Sequence, residues 1–121
     1  MEVQNTDAIG GSLHIATEVI AKIARLATLE IEGVAEVTLG NAGVRGIFSK
    51  VNIQKPVAVE MRDELAEVTV YVSAHYGTKI PHMCEAIQEN VKTTIQNMTG
   101  ITVSKVNVIV TGVSLSRAVE E

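Results

Sequence analysis

From Ile15 to Ala27 the apolar residues return every three or four positions. Ile15, Val19, Ile20, Ile23, Leu26 and Ala27 fall on one side, while Glu18, Lys22 and Arg25 fall on the other. That is the period of an amphipathic helix. Glu18 precedes Lys22 by four residues, the favourable order for a helical ion pair. The spacing predicts a helix from Ala16 that stops before Gly33, a glycine placed for a left-handed cap. A second stretch repeats the pattern with Ile80, Met83, Cys84, Ile87, Val91, Ile95 and Met98 against Glu85, Gln88, Glu89, Lys92 and Gln96. Pro81 sits at its start, where a missing N–H costs nothing, and Gly100 stands where a C-terminal cap belongs.

Between and after these helices the period drops to two. Val57, Val59 and Met61 alternate with Ala58 and Glu60, and Val68, Val70 and Val72 alternate with Thr69, Tyr71 and Ser73. With residues 62–65 as the turn, this predicts an antiparallel hairpin with one apolar face. Val106, Val108 and Val110 alternate with Asn107, Ile109 and Thr111 in a last strand. Ile101 and Val103 are out of phase with that set, so a bulge or bend is expected at Ser104–Lys105. Two weaker strands are expected, at residues 12–15 and at residues 34–39. The economical packing of two one-sided helices and such strands is α+β. It is a two-layer sandwich, with both helices on one face of a small mixed β-sheet. The other sheet face, with Thr69, Tyr71, Ser73, Asn107, Ile109 and Thr111, is mixed in polarity and open to solvent or to a partner.

The length of 121 residues suits one domain with a core of its own. Residues 1–11 read as a flexible lead-in, 12–113 as the domain, and 114–121 as a fraying tail. Composition sharpens the picture of the core. Valine and isoleucine supply 30 residues, tryptophan is absent, and there are one phenylalanine and two tyrosines. The core is therefore aliphatic and rich in sheet-favouring side chains.

A formal net charge of −4 argues against nucleic-acid binding, which needs clustered cations and exposed aromatics. A single cysteine, Cys84, forms no internal disulfide and suits a reducing compartment. No apolar run reaches the length of a membrane span, and no secretory leader pattern opens the chain. The expected location is cytoplasmic.

No catalytic constellation emerges. His82 and Cys84 point about 200° apart on a helix, which prevents joint chelation of one ion. His14 and His75 lack neighbouring ligands in the sequence. Ser49 and Ser73 have no nucleophile-elbow context. Glu60, Asp63, Glu64 and Glu67 gather at a hairpin tip, where solvation accounts for them. Residues 40–46 are glycine-rich like a phosphate loop, but no Gly-Lys-Ser/Thr opening a helix follows. Neither a metal nor any other cofactor is expected, and the protein is read as a non-enzyme.

Residues 40–56 are irregular and carry Arg45, Lys50 and Lys55 without an acid, together with Phe48, the one phenylalanine. A long irregular loop in a small domain points to a role in binding. Arg45, Phe48 and Lys50 are therefore candidate partner contacts, alongside Tyr71 and Ile109 on the mixed sheet face.

The second half of the chain reads Tyr71 to Gly77, Ile80-Pro81, a helix ending Met98-Thr99-Gly100, then Val106-Asn107-Val108 and Gly112-Val113. The first half offers Gly11, a helical stretch from Ile15 to Ile31, and Gly33-Val34-Ala35. Together, across residues 10 to 113, these resemble the alkaline-shock, or envelope stress response, protein family of Gram-positive bacteria. Lys55-Pro56-Val57 departs from that family's usual Lys-Gly-Val, and residues 40–53 fit its pattern poorly. The resemblance implies a scaffold or adaptor in cell-envelope stress response and homeostasis. Such a protein self-associates or docks on a membrane-anchored partner, placing it at the inner face of the membrane without inserting. The alternative it implies is a regulator of fatty-acid synthesis associated with acetyl-CoA carboxylase.

Overall fold

The computed structural model describes residues 12–40 and 55–115. Their order is helix α1 (Thr17–Leu29), strand β1 (Val34–Val37), hairpin strands β2 (Val57–Arg62) and β3 (Leu65–His75), helix α2 (Ile80–Thr99) and strand β4 (Thr102–Ser114). The expected strand at residues 12–15 is absent. That segment joins no ladder, and only Ile15 packs towards the core, too little apolar burial to hold a strand.

β3 is the spine of the sheet. β2 pairs antiparallel with its first half and β1 antiparallel with its second half, so the two lie end to end along one side. β4 runs parallel along the whole other side. Parallel pairing requires a crossover, and α2 supplies it. Ala66, Val68, Val70, Val72 and Ala74 of β3 are fully buried beneath the helices, as the alternation of the sequence dictates. Ile20, Ala24 and Ala27 of α1 and Met83, Ile87, Val91 and Ile95 of α2 complete an aliphatic core. Both helices thus lie on one sheet face, the expected α+β arrangement. The bulge also stands where expected: Ala66 pairs with Val103 and Glu67 with Lys105, leaving Ser104 over.

Three local expectations change. Val19 and Leu26 are 48% and 54% exposed, because the buried stripe of α1 runs through Ala24 and Thr28 instead. Alanine and threonine let the helices approach closely, and there the Asn90 side chain of α2 donates to the Ala27 carbonyl at 2.8 Å and to Glu30 at 3.0 Å. Met98, at the end of α2, is likewise exposed rather than part of the core stripe. Gly33 does not cap α1, which ends at Leu29. It turns the chain into β1 at φ +104°, where a Cβ would lie 2.7 Å from Thr78 Cγ2. Gly100 does cap α2, at φ +79°, with its N–H on the Gln96 carbonyl.

Candidate functional site: the sheet face away from the helices

With both helices on one side, the alternate residues of each strand face away from them. Register sets the rows of this second face. Ala58, Thr69 and Asn107 form one row, and Glu60, Glu67 and Lys105 form the next. In a further row Tyr71 stands directly beside Ile109. The two sheet residues singled out from sequence are therefore neighbours, Tyr71 half-buried and Ile109 41% exposed. Arg45, Phe48 and Lys50 lie outside the described residues.

The face is polar around this apolar pair. Glu60 and Glu67 stand opposite each other, an unfavourable like-charge pairing. It is relieved by Lys105 beside Glu67, by Asn107 Nδ2 donating to Glu67 Oε2 at 3.1 Å, and by Arg62 near Glu60 at 3.5 Å. Asn107 Nδ2 also reaches Thr69 Oγ1 at 3.2 Å. The Arg62–Glu60 pair is well exposed and adds little stability.

Tyr71 also marks the joint between β1 and β2. Its carbonyl accepts from Thr38 N–H and its N–H donates to the Pro56 carbonyl, both at 2.9 Å. Thr111 Oγ1 lies 3.2 Å from the carbonyls of both Thr38 and Val72, so residues 38–40 come over to the β4 side. Gly40, at φ +64°, makes that approach possible: a Cβ there would be 3.1 Å from Thr111 Oγ1. Both ends of the 40–56 segment are therefore fastened around Tyr71. Sequence spacing kept the loop and the sheet face apart, because no periodicity reports where a crossing chain lands.

The reactive side chains are scattered. His14 Nε2 lies 3.2 Å from Ser12 Oγ. His75 donates its backbone N–H to the Gly33 carbonyl, and its buried Nδ1 has no hydrogen-bond partner among the described residues. Cys84 is half-buried in α2, and desolvation pushes its thiol above the ordinary value, which disfavours the thiolate. Among the described residues, no three His, Cys, Asp or Glu side chains gather to hold a metal ion. No described helix is long and apolar enough to cross a membrane. What the arrangement offers is a surface: an aromatic and an aliphatic side chain on a firm, hydrogen-bonded sheet.

Residues 5–115 match the model of the alkaline-shock protein 23 family, described as having a cell envelope-related function. YqhY of Bacillus subtilis (strain 168) is 34% identical over 123 residues, spanning 100% of this chain and 90% of that protein. YloU of the same organism is 31% identical over 109 residues, spanning 88% and 91%. Spy1535 of Streptococcus pyogenes serotype M6 is 31% identical over 105 residues, spanning 85% and 79%. Two solved structures of MamM-CTD variants, one of them a copper form, superpose with a TM-score of 0.50 at 10% identity, and each match covers 80% of this chain and 98% of the other. At that identity the likeness concerns the fold alone.

Proposed function

The chain belongs to the alkaline-shock protein 23 family, of cell envelope-related function, and from that premise we propose that it is a non-catalytic adaptor there. It docks a protein partner on the sheet face that its helices leave uncovered. The observation that carries this reading is the Tyr71–Ile109 pair on that face, flanked on one side by the Glu67–Asn107–Thr69 hydrogen bonds. An aromatic anchor within a polar surround, on a rigid element, is the usual make-up of a binding hot spot. The Thr38 and Pro56 backbones are both hydrogen-bonded to Tyr71, and Arg45, Phe48 and Lys50, from the segment between them, are the further contacts of this reading. The partner is a membrane-anchored protein, which holds the adaptor at the inner face of the membrane and needs no span from this chain.

The test replaces Tyr71 with a photo-crosslinking phenylalanine analogue and, separately, Glu89 on the outer side of α2, in the native organism. Expected is one dominant adduct with a membrane-fraction protein from position 71 and none from position 89. Equal labelling from both positions, or none from 71, refutes the docking face.

A further inference from the structure

Over residues 57–62, β2 is the outermost strand on its side of the sheet. Among the described residues it pairs only with β3, in a run without bulge or proline. Both ends fix the phase of that pairing. The Tyr71 N–H donates to the Pro56 carbonyl, and Arg62 faces Leu65 across the two-residue turn. Bonded and non-bonded pairs alternate in an antiparallel ladder, so Ala58, Glu60 and Arg62 exchange their backbone bonds with β3. Val57, Val59 and Met61 turn their N–H and C=O groups the other way, where none has a hydrogen-bond partner among the described residues. Above this edge α1 offers a wall. It leads into β1 through residues 30–33 and runs back over β2, on which it packs. Around the helix Val19 lies about 180° from Thr28, and Leu26 about 160° from Ala24, so both overhang the flank away from α2. The side chains of Val57, Val59 and Met61 point to the same helix side, and their exposure rises from 6% at Val57 to 40% at Met61. The result is a ledge with unpaired backbone groups along its rim and apolar side chains beside them.

We infer that this ledge takes an extended segment of another protein, added antiparallel to β2 as a further strand. In such strand addition the backbone bonds supply affinity and the flanking side chains supply choice. The chemistry of the segment follows from the two faces of β2. Residues opposite Val59 and Met61 fall on the helix side, beside exposed Val19, and are apolar. The residue between them falls on the other face, next to Glu60. There Glu60 already stands opposite Glu67, and Lys105 lies on the far side of Glu67. A cation on the free side of Glu60 completes the row, so that each glutamate has a positive neighbour. The segment therefore reads apolar, lysine or arginine, apolar. Charge on an edge also turns away strands that lack the complement, which makes Glu60 a selector as well as a contact. The ledge is separate from the Tyr71–Ile109 pair and does not rest on the adaptor reading.

The probe is the fluorescein-labelled peptide amide Ser-Val-Lys-Val-Thr-Val-Ser, whose valines fall opposite Met61, Val59 and Val57 and whose lysine falls opposite Glu60. Amide exchange followed by NMR comes first. In the free protein the Val59 and Met61 amides should exchange faster than those of Ala58 and Glu60, and the peptide should slow them. Fluorescence anisotropy then compares backbone-methylated peptides. Methylating the nitrogen of the middle valine removes the N–H aimed at Val59 and should weaken binding about tenfold or more. Methylating the lysine nitrogen, which points away from β2, should leave Kd within about twofold. Glutamate in place of the peptide lysine should weaken binding by about 2- to 5-fold, and Glu60→Lys should reverse that preference. Glu60 is exposed, so equal thermal melts confirm that the variant folds, and the methylated peptides need no variant at all.

Val59 and Met61 amides that already exchange slowly in the free protein overturn the inference, because the edge is then filled. Protection that grows with protein concentration assigns it to a second copy, and constant protection assigns it to this chain. Absence of binding up to about millimolar peptide overturns it too. So does binding that leaves the two amides fast, equal loss from both methylations, or a charge preference that Glu60→Lys does not reverse. None of these outcomes touches the Tyr71 photo-adduct, whose failure refutes the adaptor and spares the ledge.

Discussion

The turn between β2 and β3 holds strain that a single substitution should release. Arg62 pairs with Leu65, leaving Asp63 and Glu64 as a two-residue loop with φ of 52° and 69°. Positive φ at both central positions is the signature of a type I′ turn, which Asn-Gly fits best. Aspartate tolerates this region, but for glutamate the left-handed conformation costs about 1–2 kcal/mol. Glycine removes that cost and gives back about 0.5–1 kcal/mol through its freer unfolded chain. Glu64→Gly should therefore stabilise by about 0.5–1 kcal/mol, a rise in Tm of roughly 2–6 °C for a domain of this size.

Charge is the competing explanation, because Glu60, Asp63, Glu64 and Glu67 crowd the tip. Glu64→Ala separates the two effects, since it removes the same charge but keeps a Cβ at positive φ. Urea titration followed by circular dichroism should rank Glu64→Gly above wild type and above Glu64→Ala. If alanine matches glycine, backbone strain is not the cause and the reasoning fails.

Two further predictions concern the helices. Asn90→Ala leaves the Ala27 carbonyl without its side-chain donor and loosens the clasp between α1 and α2. A loss of about 1–2 kcal/mol in urea unfolding is expected, and Asn90→Asp, which keeps the size but cannot donate, should not recover it. Cys84 has a thiol raised by desolvation, so native protein should react with Ellman's reagent more slowly than urea-unfolded protein near neutral pH. The sign in stability follows. The folded state disfavours the thiolate, so this contribution is complete below the ordinary thiol pKa and is lost as pH rises through the raised one. Equal labelling rates in the two states would contradict it.

Much of the fold was legible because its signals are local. The alternation through Val68, Val70 and Val72 reports a strand buried on one face whatever it pairs with. Gly100 and Pro81 bracket α2 for reasons internal to a helix, and the phase break at Ser104 survives as a bulge because side-chain direction fixes register. In α1 the signal was ambiguous. Val19 and Leu26 share the apolar arc with Ile20 and Ile23, but Ala24 and Thr28 are small enough for the other helix to approach, and the buried stripe rotated towards them. Hydrophobicity alone does not encode that choice. The failed strand at residues 12–15 has the same origin, since pairing depends on an available neighbour.

The residues of the candidate surface were named by type, but their relation is tertiary. Tyr71 and Ile109 are 38 positions apart in the chain and become neighbours only because α2 carries β4 back parallel to β3. Composition and periodicity by themselves determined an aliphatic core, two one-sided helices and a sheet with a second face. The parallel return of β4 and the end-to-end meeting of β1 and β2 at Tyr71 were decided by the assembled structure. Backbone hydrogen bonding is common to all residues, so a sequence shows which segments can form strands but not which strand lies next to which.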